Sequence, residues 1–263
     1  MLKELKLYPK YVSMSLRSSL SYKADFILQI ICFVFNEAIS LCTVYFIVGA
    51  VPSIGIWTFN TLAMLFGFTL IPKAIDHIFT DELWLLAYRA IRNGELDAYL
   101  TRPINPLFQY VAKTFKWDGL GELVVGIVVL CVFAPQAGIS WTFSGAAGLI
   151  MCAFLGVFSF TGIKLLFASL AFWFKNIGIF LNMVYGLSNY AKYPVRQMGK
   201  AFFSIMFYVI PFGLVLYYPV ECLITGNNIW FAVLYSAIAA IILSALSLTV
   251  WHLGIRRYES SGN

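Results

Sequence analysis

Charge is what this chain has least of. Only 11% of its 263 residues are Asp, Glu, Lys or Arg, while 61% are hydrophobic; a soluble domain carries roughly 25% charged residues. That shortage excludes an ordinary soluble globule. It also leaves no polar stretch of on the order of 100–200 residues in which a separate catalytic domain could fold. No GxxxxGK[ST] loop occurs, so the chain is not expected to bind a nucleotide itself. Histidine is nearly absent: His77 and His252 are the two in the chain. There is no GxSxG, HExxH or paired-Asp metal motif. His77 and Asp81 superficially suggest an acyltransferase His/Asp pair, but three residues intervene rather than four. A membrane-embedded enzyme therefore has little support, and no metal site is expected. The five cysteines (Cys32, Cys42, Cys131, Cys152, Cys222) form no CxxC pair and read as small buried residues. The N-terminal MLKELKLYPK lacks the short apolar core and small-residue cleavage site of a signal peptide.

The few charges that exist are clustered, at 3–25, 73–122, 175–200 and 256–259. Between the clusters lie apolar runs of about the length a bilayer requires. They can be threaded so that every basic cluster lies on one side and the outer loops lack Lys and Arg. The net charge of +6 then reads as a positive-inside signal rather than as a nucleic-acid surface, and no nucleic-acid partner is expected. The predicted fold is an all-α polytopic membrane protein, with 1–263 forming one permease-like domain. Its spans are about 26–48, 56–75, 115–134, 141–172, 201–219 and 229–251, six in all, with both termini cytoplasmic in a bacterial inner or plasma membrane. Residues 1–24, broken at Pro9, carry Val12, Leu16 and Leu20 at spacings of four and predict an interfacial helix on the cytoplasmic surface, in contact with lipid. The apolar part of 175–200, Ile177–Leu187, is too short to cross and is placed at the inner interface, with a re-entrant segment or a genuine extra pair of crossings as the alternative. No inverted internal repeat is evident.

The longest polar stretch is a cytoplasmic insertion, 76–110. Thr80 is a candidate N-cap, followed by Asp81 and Glu82 in a first turn. Leu83, Trp84, Leu86, Tyr88 and Ala90 continue as a helical stripe. Arg89 and Arg92 suit its C-terminal end, and Asn93-Gly94 stops it. A second short helix, Glu95–Leu100, ends at Arg102-Pro103, and Pro106 is expected to prevent an immediate restart. The product is a helical hairpin around a Gly turn. One reading is an interfacial tie between spans two and three that faces lipid with Leu83, Trp84 and Leu86. The other is a docking element presenting Arg92, Asn93, Glu95 and Asp97 to a soluble partner.

The run Arg92-Asn93-Gly94-Glu95-Leu96-Asp97-Ala98-Tyr99-Leu100-Thr101-Arg102-Pro103 resembles the segment between the second and third spans of the ABC-transporter type-2 permease family. Tyr22-Lys23-Ala24-Asp25-Phe26 resembles that family's approach to span one. Tyr193-Pro194, Val209-Ile210-Pro211-Phe212 and Tyr217-Tyr218-Pro219 resemble its fifth-span signature, and Gly254-Ile255-Arg256-Arg257-Tyr258 with Gly262 its C-terminal tail. The resemblance implies the permease subunit of an ATP-driven exporter. It implies a dimer with an identical or paralogous chain, driven by a separate ATPase subunit that carries the ATP and Mg. In that reading Arg89, Arg92, Asn93, Gly94, Glu95, Asp97, Arg102 and Pro103 receive the ATPase, and Pro211, Tyr218 and Pro219 belong to an outer gate. The aromatic-rich spans suit a hydrophobic or amphipathic substrate: a lipid, a drug or a peptide.

Asn36, Glu37 and Lys164 stand out inside the predicted spans. Asn36 and Glu37 lie near the middle of span one and Lys164 in the inner half of span four. A charge at that depth is costly unless it faces protein or water. Glu37 and Lys164 are candidate partners of one another, or lining groups of a substrate path. Glu122 reads as interfacial. One Glu and one Lys are thin support for the alternative function, an ATP-independent secondary transporter or channel.

Overall fold

The structure, a computed structural model, describes residues 2–50, 55–91, 93–174 and 177–258. It contains twelve α-helices among the described residues. Helix α1 is Leu2–Ser21 and α2 Lys23–Ala50. Helix α3 is Phe59–Thr80, and α4 is Leu83–Leu85, prolonged by a π-turn, Leu86–Ala90. Helices α5 (Asp97–Leu100) and α6 (Pro106–Ala112) complete the polar insertion. Then come α7 (Gly119–Gln136), α8 (Phe143–Ser169) and α9 (Ile177–Gly186). Helix α10 (Lys200–Ser204) runs into a π-turn at Ile205–Val209. A second π-turn, Gly213–Tyr217, leads into α11 (Tyr218–Thr225), and α12 is Ile229–Arg257. No strand occurs among the described residues.

Among the described residues, five helices are long and apolar enough to cross a membrane: α2, α3, α7, α8 and α12. The fold is therefore all-α and polytopic. Helices α8 and α12 pack side by side in the same direction, and small residues let them close. Gly148 meets Ile229, Gly162 meets Leu243 and Gly254 meets Phe172. Helices α3 and α7 cross where Gly67 faces Gly126. A methyl group on Gly67 would lie 2.6 Å from the backbone nitrogen of Leu130, so only glycine permits that approach. The central core joins Trp57, Leu62, Leu65, Phe68, Phe160, Phe212, Leu216 and Tyr217. Its two ends are distinguishable. One carries α1, α4–α6, Arg256 and Arg257 and is called the basic end. The other carries the turns at Gly55, Gly138 and Gly226, each with positive φ.

The route between α8 and α12 departs from the sequence expectation. Ile177 and Leu181 are buried at the basic end against Leu86, Ala90 and Leu165. Tyr185 reaches Phe160 (ring centroids 5.5 Å apart). Ser188, Asn189 and Lys192 then line a cavity with Phe66 and Leu70. Arg196 bonds Glu221, and Gln197 lies beside Gly55 at the opposite end. So 177–197 is not held at one interface. It travels the length of the bundle through α9 and two 3₁₀ turns, Leu187–Tyr190 and Val195–Gln197.

The run expected to be span five is instead two arms, Lys200–Val209 and Gly213–Thr225, set at 86° to each other. Both outer ends of this pair lie at the Gly55 end: Lys200 follows Gln197, and Leu223 sits near Gly145 at the start of α8. The elbow dips inward to where Phe212 meets Phe160 at 4.8 Å between centroids. Pro211 is at that elbow, where it lacks an amide to donate to a continuing helix. Pro211 is thus at mid-depth, deeper than the sequence placed it, whereas Pro219 fits at the first turn of α11 without a break. The basic cluster 175–200 is likewise split. Arg196 and Lys200 belong to the Gly55 end, where Arg196 is neutralised by Glu221 at 2.7 Å and covers the ring of Phe203.

Smaller departures have local causes. Helix α1 is continuous through Pro9, losing one backbone donor rather than ending there. Thr80 is not an N-cap but the last residue of α3. Its hydroxyl is captured by the carboxylate of Asp76 at 2.6 Å. Pro106 starts α6 instead of preventing it, because proline suits a first helical position and Asn105 caps it by accepting from Phe108 N at 3.1 Å. Cys32, Cys42 and Cys131 are exposed on the bundle's outer surface; Cys152 and Cys222 are buried.

Candidate functional site

The polar insertion folds as a bracket on the basic end. Leu83 and Leu86 do not face outward: they are buried with Ala87, Ala90, Ile91 and Leu96 against Leu165, Ala168 and Trp251 of α8 and α12. A helix with an apolar stripe buries it against whatever apolar surface is nearest, and here that is the bundle itself. The turn after it is left outward. Gly94 adopts φ +75°, a conformation other residues resist. Arg89, Asn93, Arg102 and Pro103 are exposed, and Gly94, Glu95 and Asp97 are half-buried. Arg92 lies outside the described residues. Arg89 and Glu95 close the turn with an ion pair of 3.4 Å. Arg102 donates to Gln109 at 2.9 Å, which ties the outgoing arm of the bracket to α6. Lys113 bonds Glu82 at 2.8 Å and Tyr99 Oη at 3.1 Å. Burial opposes the charge on Lys113, but the bonds to Glu82 and Tyr99 outweigh it and hold the ammonium above its ordinary pKa. Burial, with the nearby Glu82 carboxylate, pushes the Tyr110 phenol far above its usual range.

From the bracket a chain of aromatic contacts leads inward. Trp84 meets Tyr185 edge-on at 5.0 Å between centroids, and Tyr185 meets Phe212 at the elbow at 6.4 Å. Tyr88 adds a second link: its hydroxyl bonds Asn182 Nδ2 at 2.5 Å, and its ring lies over Gly178.

Lys164 and Glu37 are not partners. Lys164 pairs with Asp76 at 2.7 Å, both side chains fully buried. The same carboxylate accepts from Thr80, from Thr161 at 3.0 Å and from Tyr185 at 3.1 Å. Asp76 had seemed to begin a loop; because α3 runs on to Thr80, it lies inside the bundle. Glu122 is also buried rather than interfacial, held by Lys73 at 3.3 Å and His77 at 3.5 Å. His77 in turn lies 3.8 Å from Asp118 and 4.0 Å from Asp81.

Asn36 and Glu37 open onto a polar cavity of about 390 Å³ midway between the two ends. Ser40, Thr69, Lys73, Ser188, Asn189 and Lys192 share its wall. Lys192 points its ammonium toward the ring of Phe66, 5.5 Å from the centroid. Lys73, Ser188, Asn189 and Lys192 were missed in the sequence. The signal available was that three of them, Ser188, Asn189 and Lys192, fall directly after the apolar stretch that ends at Leu187. Of the residues expected at an outer gate, Pro211 and Tyr218 line a separate apolar groove of about 710 Å³ with Tyr208, Tyr235 and Ile242. Pro219 is buried beside it. No metal-binding group of His, Cys, Asp and Glu occurs among the described residues.

No curated protein and no solved structure matches the chain at a significant level. A family model described as "ABC-2 family transporter protein" does match, over residues 25–262, which is nearly the whole sequence, and this multi-pass membrane protein belongs to that family of transport components.

Proposed function

We propose that the chain is the permease subunit of an ATP-driven exporter, and that Arg89–Pro103 is the surface on which a separate ATPase subunit docks. The observation that carries this reading is the bracket. Its polar turn is outward, while its apolar face is clamped onto α8, α9 and α12. A force applied at Gly94 is therefore delivered to the bundle rather than lost in a loose loop. Trp84, Tyr185 and Phe212 provide a contiguous route from the bracket to the elbow at Pro211. In this mechanism ATP-driven closure of two ATPase subunits pushes two brackets, one on each of two permease chains, identical or paralogous. The bundles then rock between inward- and outward-open states. ATP and Mg reside on the partner. The basic end faces the cytoplasm, with both termini there, in a bacterial inner membrane, and the exported substrate is hydrophobic or amphipathic. The cavity at Asn36 and Glu37 belongs to the substrate path, and Pro211, Tyr218 and Pro219 belong to the outer gate.

A photo-crosslinking amino acid at the exposed Asn93, activated in native membranes, tests the docking surface. The expected product is an adduct with a soluble ATPase subunit, abolished when the same group is placed at Phe143 on the opposite end. Equal labelling from both positions, or adducts with lipid alone, would remove the docking assignment.

A further inference from the structure

The cavity between α2 and the 188–192 segment is unusual in what its walls leave undone. Among the described residues, Asn36, Glu37, Ser40, Asn189 and Lys192 make no hydrogen bond and no ion pair with another side chain or with the backbone. The hydroxyl of Ser188 is buried and also has no partner. Buried polar groups are nearly always satisfied, and at this depth in a bilayer an unsatisfied one is costly. Glu37 and Ser188 are two such buried groups, and the half-buried Ser40 and Lys192 and the exposed Asn36 and Asn189 add four more unpartnered polar side chains around the same space, which marks a site suited to a polar guest.

The charges say which guest. Among the described residues Lys192 has no carboxylate within 4.0 Å, and the other ammonium, Lys73, bonds Glu122 at 3.3 Å. Glu37 is the single carboxylate on the wall. One side of the cavity therefore calls for an anion and the other for a cation or a donor. The guest must also be an amphiphile. Asn36 is the corner between this cavity and a second, mostly apolar groove of about 340 Å³ along the outer face of α2, lined by Leu28, Cys32 and Phe33 together with Gln29 and Asp25. Helix α2 is the least covered of the five long apolar helices, with 11% of its most apolar stretch buried. A chain lying in that groove would be open to the bilayer.

We infer that this cavity binds the zwitterionic headgroup of a lipid-like amphiphile, its anionic group at Lys192 and Lys73, its amine at Glu37 and Asn36, and its tail along Leu28–Phe33. The inference rests on the reading of Asn36 and Glu37 as part of the substrate path and names the substrate class for it.

The test is a binding titration of the purified complex in detergent, followed by native mass spectrometry. Three short-chain lipids are compared: phosphatidylethanolamine, phosphatidylglycerol and diacylglycerol. Phosphatidylethanolamine is expected to bind about tenfold more tightly than the other two, the worth of one charge-assisted hydrogen bond. Lys192→Met should remove most of the advantage over diacylglycerol, which lacks the phosphate, Lys192→Arg should keep it, and Glu37→Gln should remove the advantage over phosphatidylglycerol, which lacks the amine, each at an unchanged elution volume and unfolding midpoint. Equal binding of the three lipids would overturn the inference, as would unchanged selectivity in both Lys192→Met and Glu37→Gln. Soluble phosphoethanolamine binding as tightly as the lipid would overturn the amphiphile assignment, since the tail groove would then contribute nothing. Because ATPase co-purification is scored on the same sample, a complex that retains its ATPase but shows no lipid selectivity sinks this inference alone. A chain that purifies without an ATPase sinks the exporter reading instead.

Discussion

Removing the carboxylate of Asp76 should be among the most damaging single changes in the bundle, and the structure sets the size of the effect. Asp76→Ala strands Lys164, whose side chain is fully buried. It also takes the acceptor from Thr161 and Tyr185, while the Thr80 hydroxyl keeps the Asp76 carbonyl at 2.9 Å. Breaking a buried pair by removing one partner costs about 3–5 kcal/mol. The double variant Asp76→Ala with Lys164→Met no longer strands a charge. It should cost about 1–2 kcal/mol, roughly 1 kcal/mol for the Tyr185 hydroxyl left without an acceptor and less for Thr161, whose hydroxyl still has Thr80 Oγ1 at 3.3 Å. Lys164→Met alone leaves Asp76 with three hydroxyl donors and should cost less than Asp76→Ala. The assay is reversible unfolding of the purified protein in mixed micelles of increasing SDS content, read by tryptophan fluorescence, with refolding traced to establish equilibrium. The order expected is Asp76→Ala worst and the double variant partly recovered. A double variant as unstable as the sum of the singles would show that the two residues do not interact, and the buried pair would have to be abandoned.

Four other outcomes follow from particular contacts. Gly94→Val forces a β-branched residue into φ +75°, a strain of about 1–3 kcal/mol. Together with the charge reversal Glu95→Lys/Asp97→Lys, it should leave membrane insertion intact while ATP hydrolysis no longer drives transport; coupling at the wild-type level in both variants would eliminate the docking surface. Gly67→Ala places a methyl 2.6 Å from the Leu130 backbone. It should separate α3 from α7 at about 1–3 kcal/mol, visible in the same SDS titration. Glu37→Gln should reduce or redirect transport while leaving co-purification of subunits unchanged, and loss of assembly alone would assign Glu37 a purely structural role. Lys113→Met should loosen the bracket, as judged by proteolysis at 93–105. Since the folded protein holds the Lys113 proton above its ordinary pKa of 10.5, the wild-type brace is complete below that pH and fades as the pH climbs through and beyond it; protease sensitivity that already rises near neutral pH would contradict the Glu82–Lys113 contact.

Much of the fold was legible because hydropathy and length carry most of the information about a membrane helix. The runs read as spans one, two, three, four and six correspond to α2, α3, α7, α8 and α12, with ends shifted by a few residues. What hydropathy cannot express is direction. An apolar run that crosses and one that dips in and returns look alike, so 201–219 was read as a crossing until the 86° elbow at Pro211 showed otherwise. The inverse error fell on 177–197. Its apolar part, Ile177–Leu187, is too short to cross and so reads as interfacial, yet the path continues through Ser188, Asn189 and Lys192, which are polar because they face an internal cavity. Of the site residues, the bracket turn was recognisable from Asn93-Gly94 and its flanking charges. The partner of Lys164 was not, because Asp76 stands at the head of a charged block and nothing in the pattern shows that α3 continues to Thr80. Glu37 stood out as a polar group in an apolar run, but its neighbours come from distant segments and no local spacing reveals them.

The central claim is that this chain works with a separate ATPase held at Arg89–Pro103. The most direct measurement is a mild-detergent purification of the full chain from its native membrane, with the co-purifying subunits identified and ATP hydrolysis assayed, alongside the Glu95→Lys/Asp97→Lys variant. The account predicts a stoichiometric soluble ATPase with the wild type and its loss with the variant. A chain that purifies alone, or an ATPase that remains bound and coupled to the variant, would contradict it.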